Sequence, residues 1–438
     1  MMQEYFYTLA DFIGKQLQGN EIYLAEFTAE QSDFIRFNKA QIRQPGSVEQ
    51  RYLVIDLING QRHIGEQFTL SGELNTDYER IATSIQQLRN QLPHIPEDPY
   101  LLYATEVNST ESIGTDNLLT ATDAVNEILT TTGDMVGIYA SGGIFTGFAN
   151  SFGQRNWHSS HTFNFDWSLY HSKDKAVKSA YAGFEWNNAD FTEKVNKSLN
   201  QLAILKQEPR TIKPGKYKVY LAPAAMFEIF QLLTWDSFGL KSHNTKDTAL
   251  LRMLEGQNLH PSINMTENIK DGIAPTFQTQ GFIKPEQVTL IKQGVYDTAL
   301  ISPRSAKEYE VDTNGANDEE YPTSLDLAAG NFATDKVLKE LDTGIYINNL
   351  WYLNYSDRAA CRMTGMTRFA TFWVEHGEIV APLNVMRWDE TLYNILGNKL
   401  IALAKERDFI MEADTYEMRS TGSARLPGAL VEDFTFTL

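Results

Sequence analysis

The chain has 438 residues, of which 42% are hydrophobic and 21% charged, so it can build more than one core and is not a disordered chain. A formal net charge of −18 argues against a nucleic-acid backbone or an anionic membrane as partner. The single cysteine excludes an internal disulfide, and no stretch approaches about 18 uninterrupted apolar residues. The start lacks the regions of a signal peptide, so we predict a cytoplasmic protein.

Two proline-bearing stretches divide the chain into three predicted domains. They are LPHIPEDPY and KQEPRTIKPGK, and both read as exposed connections because proline removes a backbone donor and disfavours a preceding helix. We predict an α+β fold with an N-terminal α/β domain and antiparallel sheet over 1–98. A β-rich middle domain follows over 99–210, and a C-terminal mixed α/β domain over 211–438.

The first predicted domain opens with an amphipathic helix. Strand patterns follow in EIYLAEFTA, SDFIRFNKAQI, QRYLVIDLI and QRHIGEQFTL, and then a helical pattern in YERIATSIQQLRNQL. The Asn-Gly pair between the last two strands predicts a hairpin turn, because both residues tolerate positive φ.

The middle domain is predicted to contain a helix in LLTATDAVNEILTT and another near 190–206. The glycine pair of ASGGIFTG lacks the strand-to-helix context of a phosphate-binding loop, so we interpret it as a turn. HTFNFDWSLYH shows the clearest strand alternation of the chain. It places on one face His161, Phe163, Phe165, Trp167, Leu169 and His171.

In the C-terminal domain we predict strands in YKVYLA, GIYINNLWYL, RFATFWVE and LVEDFTFTL. MFEIFQLLTWDSFG, just after the first of them, has an apolar helical pattern. A second helix is predicted in DETLYNILGNKLIALAKER. The polar stretch 241–282 predicts no element.

Few residues form a pattern typical of catalysis. His158 and His161, three apart, lie on opposite faces of a strand, and His171 is roughly 33 Å along the strand from His161. A metal site built from these three histidines is an alternative to hydrogen-bonded strand histidines. Cys361 lies near two arginines that would lower its pKa, but no histidine is assigned to it, which favours an inert thiol.

Two further stretches with charged residues read as connections. EHGE, at 375–378, has the residue types of a zinc-binding helix in the wrong order and reads as a β-turn. The acidic run DTNGANDEEYP, at 312–322, does not keep the spacing of a calcium loop and reads as a solvated loop.

Several blocks together resemble the TldD/PmbA family. They are ANSFGQ, KPGKYKVYLAPAA, LIKQGVYDTALISPRSAKEY, GIYINNLWYLNYSDRAACRMTGMTRFATFWVEHGEIVAPL and ARLPGALVEDFTFTL. The resemblance implies a cytoplasmic TldD–TldE heterodimer that cleaves unfolded peptides inside a closed cavity. It also implies that the zinc-bearing TldD-type subunit carries H-E-x-x-x-H on the helix after YKVYLA and a cysteine ligand near the C-terminus.

This chain departs from the zinc-binding pattern. The best register sets Gln231, Leu232 and Asp236 against the His, Glu and His of the motif, and MRSTGSARLPG has no cysteine. The resemblance therefore implies a TldE-like subunit of a divergent branch, with no catalytic or metal-binding residue and no cofactor of its own. Zinc is expected in a TldD-like partner. Aromatic residues of the densest block are candidates to line the peptide cavity, or else ordinary core: Trp351, Tyr352, Phe369, Phe372 and Trp373.

Two other functions stay open at this stage. One is a homodimeric protein that binds or scaffolds peptides without a catalytic partner. The other is a stand-alone hydrolase with an unrecognised site, for which His158, His161 and an acidic partner such as Asp166 are the candidates.

Overall fold

The computed structural model describes residues 2–172 and 175–437. Within them, no helix is both long enough and apolar enough to cross a bilayer. An antiparallel sheet begins near the N-terminus, the middle of the chain is rich in strands, and a mixed sheet fills the C-terminal part. The predicted α+β fold class is confirmed.

The first half of the chain forms one sheet with helices on one side. Its strands are β1 Ile22–Asn38, β2 Gln41–Asn59, β3 Arg62–Thr69, β4 Thr110–Ile113, β5 Val136–Asn150, β6 Arg155–Ser172 and β7 Lys175–Gly183. Its helices are α1 Met2–Gln16, α2 Leu74–Gln91, α3 Ala121–Thr132 and α4 Asn188–Leu205. The strand order is β3-β2-β1-β5-β6, and β4 and β7 both pair with β6.

The first sheet crosses the predicted boundary at residue 98, because β1 pairs along its length with β5. The division into three domains stays a prediction. The Asn-Gly hairpin is confirmed, with Asn59 paired to Arg62 and a two-residue loop that opens on Gly60 at φ 64°. EIYLAEFTA and SDFIRFNKAQI, predicted as two strands, contribute to a single long one, β1.

The interpretation of ASGGIFTG as a turn is wrong. Gly142 and Gly143 lie inside β5, between β1 and β6. A Cβ at residue 142 would overlap the carbonyl oxygen of Gln31 on β1, so the glycine serves a close approach of two backbones. The sequence shows the glycine pair but not the neighbouring strand that requires it.

One face of the first sheet, here called the apolar face, packs against all four helices. Alternate residues of β1, such as Phe27, meet α1 and α2. Alternate residues of β6, such as Phe165 and Trp167, meet α3 and α4. The alternation predicted for β6 is confirmed, and burial of these aromatic rings holds the helices on the sheet.

A second, mixed sheet forms the C-terminal part. Its strands are β8 Gly215–Leu221, β9 Met265–Asn268, β10 Gln287–Lys292, β11 Val295–Tyr296, β12 Ser324–Leu327, β13 Gly344–Ile347, β14 Trp351–Asp357, β15 Arg362–Met366, β16 Thr371–Glu375, β17 Glu378–Pro382, β18 Arg387–Thr391, β19 Leu400–Met411 and β20 Ser423–Phe436. Its helices are α5 Pro223–Thr234, α6 Leu240–Asn244, α7 Leu251–Leu254, α8 Pro303–Tyr309 and α9 Val337–Leu341. The main strand order is β11-β10-β9-β12-β20-β8-β13-β16-β17, with β12–β20 and β8–β13 parallel.

The helix predicted in DETLYNILGNKLIALAKER is wrong. The stretch forms the end of β18, a π-helical turn over Asn394–Asn398 and then β19, which pairs antiparallel with β20. Pairing with a long strand from the far end of the sequence outweighs the helical preference of Leu, Ala, Lys and Glu. The unassigned stretch 241–282 contains short elements only, and EHGE is the predicted β-turn between β16 and β17.

Candidate functional site

The face of the first sheet opposite the helices, here called the polar face, carries hydrophilic side chains and is nevertheless covered. Its residues on the central strands are Glu26, Thr28, Glu30 and Ser32 on β1 and His158, Ser160, Thr162, Asn164 and Asp166 on β6. Most are buried, while Glu26, Thr28 and Asp166 are half-buried. Alternation along a strand sends them away from the apolar face.

The C-terminal part of the chain covers the polar face. The imidazole Nε2 of His158 lies 3.1 Å from the carbonyl oxygen of Ile273, and the amide of Gln154 donates to the carbonyl of Gly281 at 2.7 Å. Phe148 of the sheet packs with Phe277 of the C-terminal part. The first sheet and the segment between β9 and β10 therefore enclose a polar layer between them.

Three buried side-chain atoms of this layer have no hydrogen-bond partner among the described residues. They are Oε1 of Glu30, Oε1 of Gln154 and Nδ1 of His158. Burying a polar atom without a partner costs about 1–3 kcal/mol, so folded proteins keep few of them. Unpartnered buried atoms also occur away from this layer, for example Nε1 of Trp167 on the apolar face, so they mark the layer as polar without assigning it a ligand.

At one end of the layer, acidic groups surround a lysine. Burial, followed by repulsion from Asp318, raises the pKa of Glu26 to about 7. Burial likewise raises the pKa of Glu267, although its carboxylate accepts hydrogen bonds from the amide and hydroxyl of Thr323 at 2.9 and 2.7 Å. Burial lowers the pKa of Lys284, whose charge both carboxylates favour. Burial therefore outweighs the attraction between the opposite charges of this group, and all three pKa values move toward the neutral forms.

At the other end, the sheet meets α5 through a second charged group. Asp166 accepts a hydrogen bond from the Asn164 amide at 2.8 Å, and burial raises its pKa to about 6. Lys178 of β7 places its Nζ 3.6 Å from Oε1 of Glu228 on α5. The same Nζ lies 5.9 Å from the centroid of the Phe369 ring. Burial also raises the pKa of Glu228. Glu228, in the middle of α5, therefore faces the polar layer.

Helix α5 forms where the sequence predicts it, with Pro223 in its first turn and an apolar stripe toward the core. Gln231 is exposed. Leu232 packs against the core, and its carbonyl accepts a hydrogen bond from the Tyr355 hydroxyl at 3.1 Å. Asp236 lies beyond the helix end at φ 56° and pairs with Arg358 at 3.4 Å.

These three positions do not fit a zinc ion. Zinc sites in hydrolases use imidazole, thiolate and carboxylate ligands that converge on one point, with a carboxylate base beside the bound water. Leu232 has no donor atom, Gln231 offers only an amide, and Asp236 is engaged with an arginine outside the helix. A metal bound here would find neither the ligands nor the base.

The structure separates the three histidines considered as an alternative metal site. His158 is on the polar face, His161 is on the apolar face with its ring centroid 5.8 Å from that of Phe145, and His171 is exposed. Across residues 2–172 and 175–437, no group of three or more His, Cys, Asp or Glu residues is placed to hold a metal ion.

The burial of the single cysteine supports its interpretation as an inert thiol. Cys361 is fully buried, and burial raises the pKa of its thiol to about 12. Arg358 and Arg362 instead pair with carboxylates, Asp247 at 2.7 Å and Asp389 at 3.0 Å. The thiolate, which is the reactive form, is therefore scarce at neutral pH.

The five aromatic residues predicted to line a cavity do not form one cluster in the structure. Phe372 and Trp373, neighbours on β16, belong to different hydrophobic cores. Trp351 and Tyr352 lie at the exposed start of β14, with Tyr352 76% exposed. Only Phe369 of the five contacts a residue at the edge of the polar layer, Lys178.

Several residues of the polar layer were not singled out in the sequence. Among them are Glu30, Lys178 and Arg419, whose guanidinium donates to the hydroxyl of Thr162 at 2.7 Å. The alternation of polar and apolar residues in EFTAE, at 26–30, was a usable signal for a polar face on β1. Whether such a face meets water or protein depends on a part of the chain more than 200 residues further along the sequence.

Comparison with known proteins agrees with this fold. The structure is similar to that of TldE from Thermococcus kodakarensis, at 13% sequence identity over 99% of this chain and 100% of that chain, with a TM-score of 0.77. It is also similar to a proposed modulator of a DNA gyrase from Thermotoga maritima, at 13% identity over 100% of both chains, with a TM-score of 0.75. A third similar structure, a proposed modulator of DNA gyrase from Bacteroides thetaiotaomicron, has 14% identity over 99% of this chain and 98% of that one, with a TM-score of 0.74.

At such identities the structural likeness shows the fold alone. No curated protein matches the sequence. Residues 214–438, more than half of the chain, match the family described as the PmbA/TldA metallopeptidase C-terminal domain. The chain belongs to the PmbA/TldD metallopeptidase family.

Proposed function

We propose that the chain is a non-catalytic, TldE-like subunit of a cytoplasmic metallopeptidase pair that acts on unfolded peptides. In this proposal a zinc-bearing, TldD-like subunit carries out hydrolysis, and this chain supplies part of the cavity wall. The observation that carries it is the chemistry of Gln231, Leu232 and Asp236, which offer neither a zinc donor set nor a general base.

The polar layer supports a role in holding peptides. An extended peptide presents a backbone donor or acceptor at every residue, and it binds best where protein groups of both kinds are available. The polar face offers hydroxyls, amides and carboxylates fixed on neighbouring strands, including the unpartnered Oε1 of Glu30. A surface meant only to join two sheets would gain more from apolar side chains.

Co-expression with a family member that carries H-E-x-x-x-H tests the proposal. We expect the two chains to purify together and to hydrolyse a denatured protein such as reduced casein, with neither activity nor stoichiometric zinc in this chain alone. Alanine in place of the first histidine of the partner's motif is the control, and it should abolish hydrolysis without separating the chains.

Two outcomes would overturn the proposal. Hydrolysis by this chain alone would point to a stand-alone enzyme with its own site. Failure to associate with any motif-bearing family member, together with symmetric self-association and peptide binding without hydrolysis, would favour the homodimeric peptide-binding protein.

A further inference from the structure

The guanidinium group of Arg419 is inserted into the polar face. The segment 412–422, here called the strap, connects β19 to β20, and Arg419 projects from it toward the first sheet. Its Nη1 donates to the Ser32 hydroxyl and to the carbonyl of Gly142, both at 3.2 Å. Its Nη2 donates to the carbonyl and hydroxyl of Thr162 at 2.9 and 2.7 Å. The arginine is only 4% exposed.

The acceptors belong to the sheet and not to the strap. Ser32, Gly142 and Thr162 are direct cross-strand neighbours on β1, β5 and β6, so they form one row across three adjacent strands. Backbone pairing fixes the two carbonyl groups, because Gly142 is paired on both sides, with β1 and β6, and Thr162 is paired with β5. The row is therefore a rigid, preformed set of four acceptors around one planar cation.

The carboxylate of Glu30 lies beside this row and can accept a further hydrogen bond. Glu30 lies two residues before Ser32 on the same face of β1, and its charge favours the ionised form of Arg419. Its Oε2 accepts a hydrogen bond from the Gln50 amide at 2.9 Å, whereas its Oε1 is buried without a partner among the described residues. Burial lowers the pKa of Arg419 to about 10, which leaves the guanidinium charged at neutral pH.

The strap itself has few anchors besides Arg419. Its residues 413–417 are exposed, with Tyr416 at 82%, and Glu417 has a φ of 66°. The Gln50 amide donates to the carbonyl of Glu417 at 2.6 Å, and the Ser420 hydroxyl donates to Glu412 within the strap. Segments with few buried contacts open at low cost in free energy. The hydrogen bonds of Arg419 are therefore the main contacts that hold the strap on the sheet, and their replacement by another guanidinium would release the strap while the row stays in place.

We propose that the row of Ser32, Gly142 and Thr162, with Glu30 beside it, is a subsite for the arginine side chain of a bound peptide. Arg419 is its resident occupant and blocks the subsite until the strap moves away. The inference rests on the peptide-binding part of the proposed function and is independent of zinc and of hydrolysis. It names arginine-containing peptides as the preferred class.

The geometry distinguishes arginine from lysine. The four acceptors divide between two nitrogens of one plane, two on each side, which matches the fork of a guanidinium. An ammonium places all its donors on a single atom and would leave acceptors on one side unsatisfied. Unsatisfied buried acceptors reduce affinity, so the subsite should prefer guanidinium.

Replacement of the occupant tests the subsite. Isothermal titration of Arg419→Ala with ethylguanidinium should show binding at least about tenfold tighter than that of the wild type, with no comparable gain for ethylammonium. Arg425→Ala is the matched control, because Arg425 lies over the Phe409 ring and contacts none of the three acceptors. A folded Arg419→Ala protein with no gain for ethylguanidinium, or an equal gain for ethylammonium, overturns the inference.

A measurement on the wild type decides the question if Arg419→Ala does not fold. An acetylated, amidated pentapeptide with arginine among alanines should, at saturation, increase hydrogen exchange of the strap amides. The same peptide with citrulline should not. Unchanged strap exchange in the presence of bound arginine peptide would refute the inference.

The two proposals fail in different ways. If Arg419→Ala gains no affinity for ethylguanidinium while the chain still pairs with a zinc-bearing subunit, only the subsite is refuted. If Arg419→Ala does gain this affinity but the chain forms no such pair, only the subunit role is refuted.

Discussion

The two faces of the first sheet are both covered by protein, yet they differ in chemistry. The apolar face buries rings such as Phe27 and Trp167 against helices close in sequence. The polar face buries Glu30, His158 and Thr162 against a part of the chain more than 100 residues away. Burial of apolar area stabilises the first contact, whereas the second buries polar and charged groups, which costs free energy unless each group finds a partner. The apolar face therefore contributes more to stability, and the polar face is the one that the proposal assigns to peptide binding.

Truncation of a ring on the apolar face should produce the largest effect. Trp167→Ala removes a fully buried side chain and should lower the free energy of unfolding by about 3–5 kcal/mol, measured by urea denaturation. Tyr170→Ala, on the same strand but 55% exposed, is the control and should change it by less than about 0.5 kcal/mol. Equal losses for the two variants would contradict the assignment of the faces.

A double-mutant cycle sharpens the account of the polar face. Arg419→Ala leaves the buried Glu30 without its nearby positive charge, so Glu30→Gln should cost less stability in that background than in the wild type. We expect a coupling energy of about 1–2 kcal/mol from urea unfolding of the four proteins. Arg425→Ala in place of Arg419→Ala should show no coupling. Additive losses for Glu30 and Arg419 would remove the electrostatic argument for the subsite.

The raised pKa of Asp166 predicts a pH-dependent cost on the polar face. Its pKa of about 6 in the folded protein exceeds the ordinary value of 3.8, so ionisation opposes folding above pH 6. This cost disappears as the pH falls toward 4. Asp166→Asn should therefore be more stable than the wild type by about 1 kcal/mol at pH 7.5, with a smaller difference at pH 5.

An exposed carboxylate supplies the control for that pH dependence. Asp134→Asn, in the turn before β5, should change stability by less than about 0.5 kcal/mol at either pH. A stabilising effect of Asp166→Asn that stays constant between pH 5 and 7.5 would show that the charge of Asp166 is not its cause.

The two strand histidines give the smallest predicted contrast. Burial lowers the pKa of His158, so its contribution to stability is complete above about pH 6.5 and is lost as the pH falls below that value. His158→Gln should remove this loss of stability below pH 6.5. At pH 7.5 it should lower the free energy of unfolding by about 1 kcal/mol, because it weakens the contact with the Ile273 carbonyl. His161→Phe, on the apolar face, should stay within about 1 kcal/mol of the wild type, by thermal unfolding. A larger loss for His161→Phe would reverse the contrast.

Local patterns predicted the apolar face well. The alternation of β6, the hairpin at Asn59 and Gly60, and helices α1 to α5 all follow from spacing and turn chemistry within a few residues. The helix predicted over 389–407 failed because its pattern is also compatible with a strand, and the partner β20 decided between the two. Local preference predicts an element only where no distant strand competes for it.

The candidate site was far less predictable. The zinc-position residues Gln231, Leu232 and Asp236 came from a family resemblance, and their spacing alone would not have singled them out. Arg419 stands in a short polar stretch with no periodicity, and its acceptors lie on strands more than 250 residues earlier. Contacts of that range depend on the packing of two sheets, which no local pattern encodes.

The zinc content of the purified chain, measured by elemental analysis after dialysis without chelator, tests the central claim most directly. The account predicts far less than one equivalent of zinc, iron or manganese per chain, because no donor set is present at Gln231, Leu232 and Asp236. Close to one equivalent of a tightly held metal would contradict the assignment as a non-catalytic subunit.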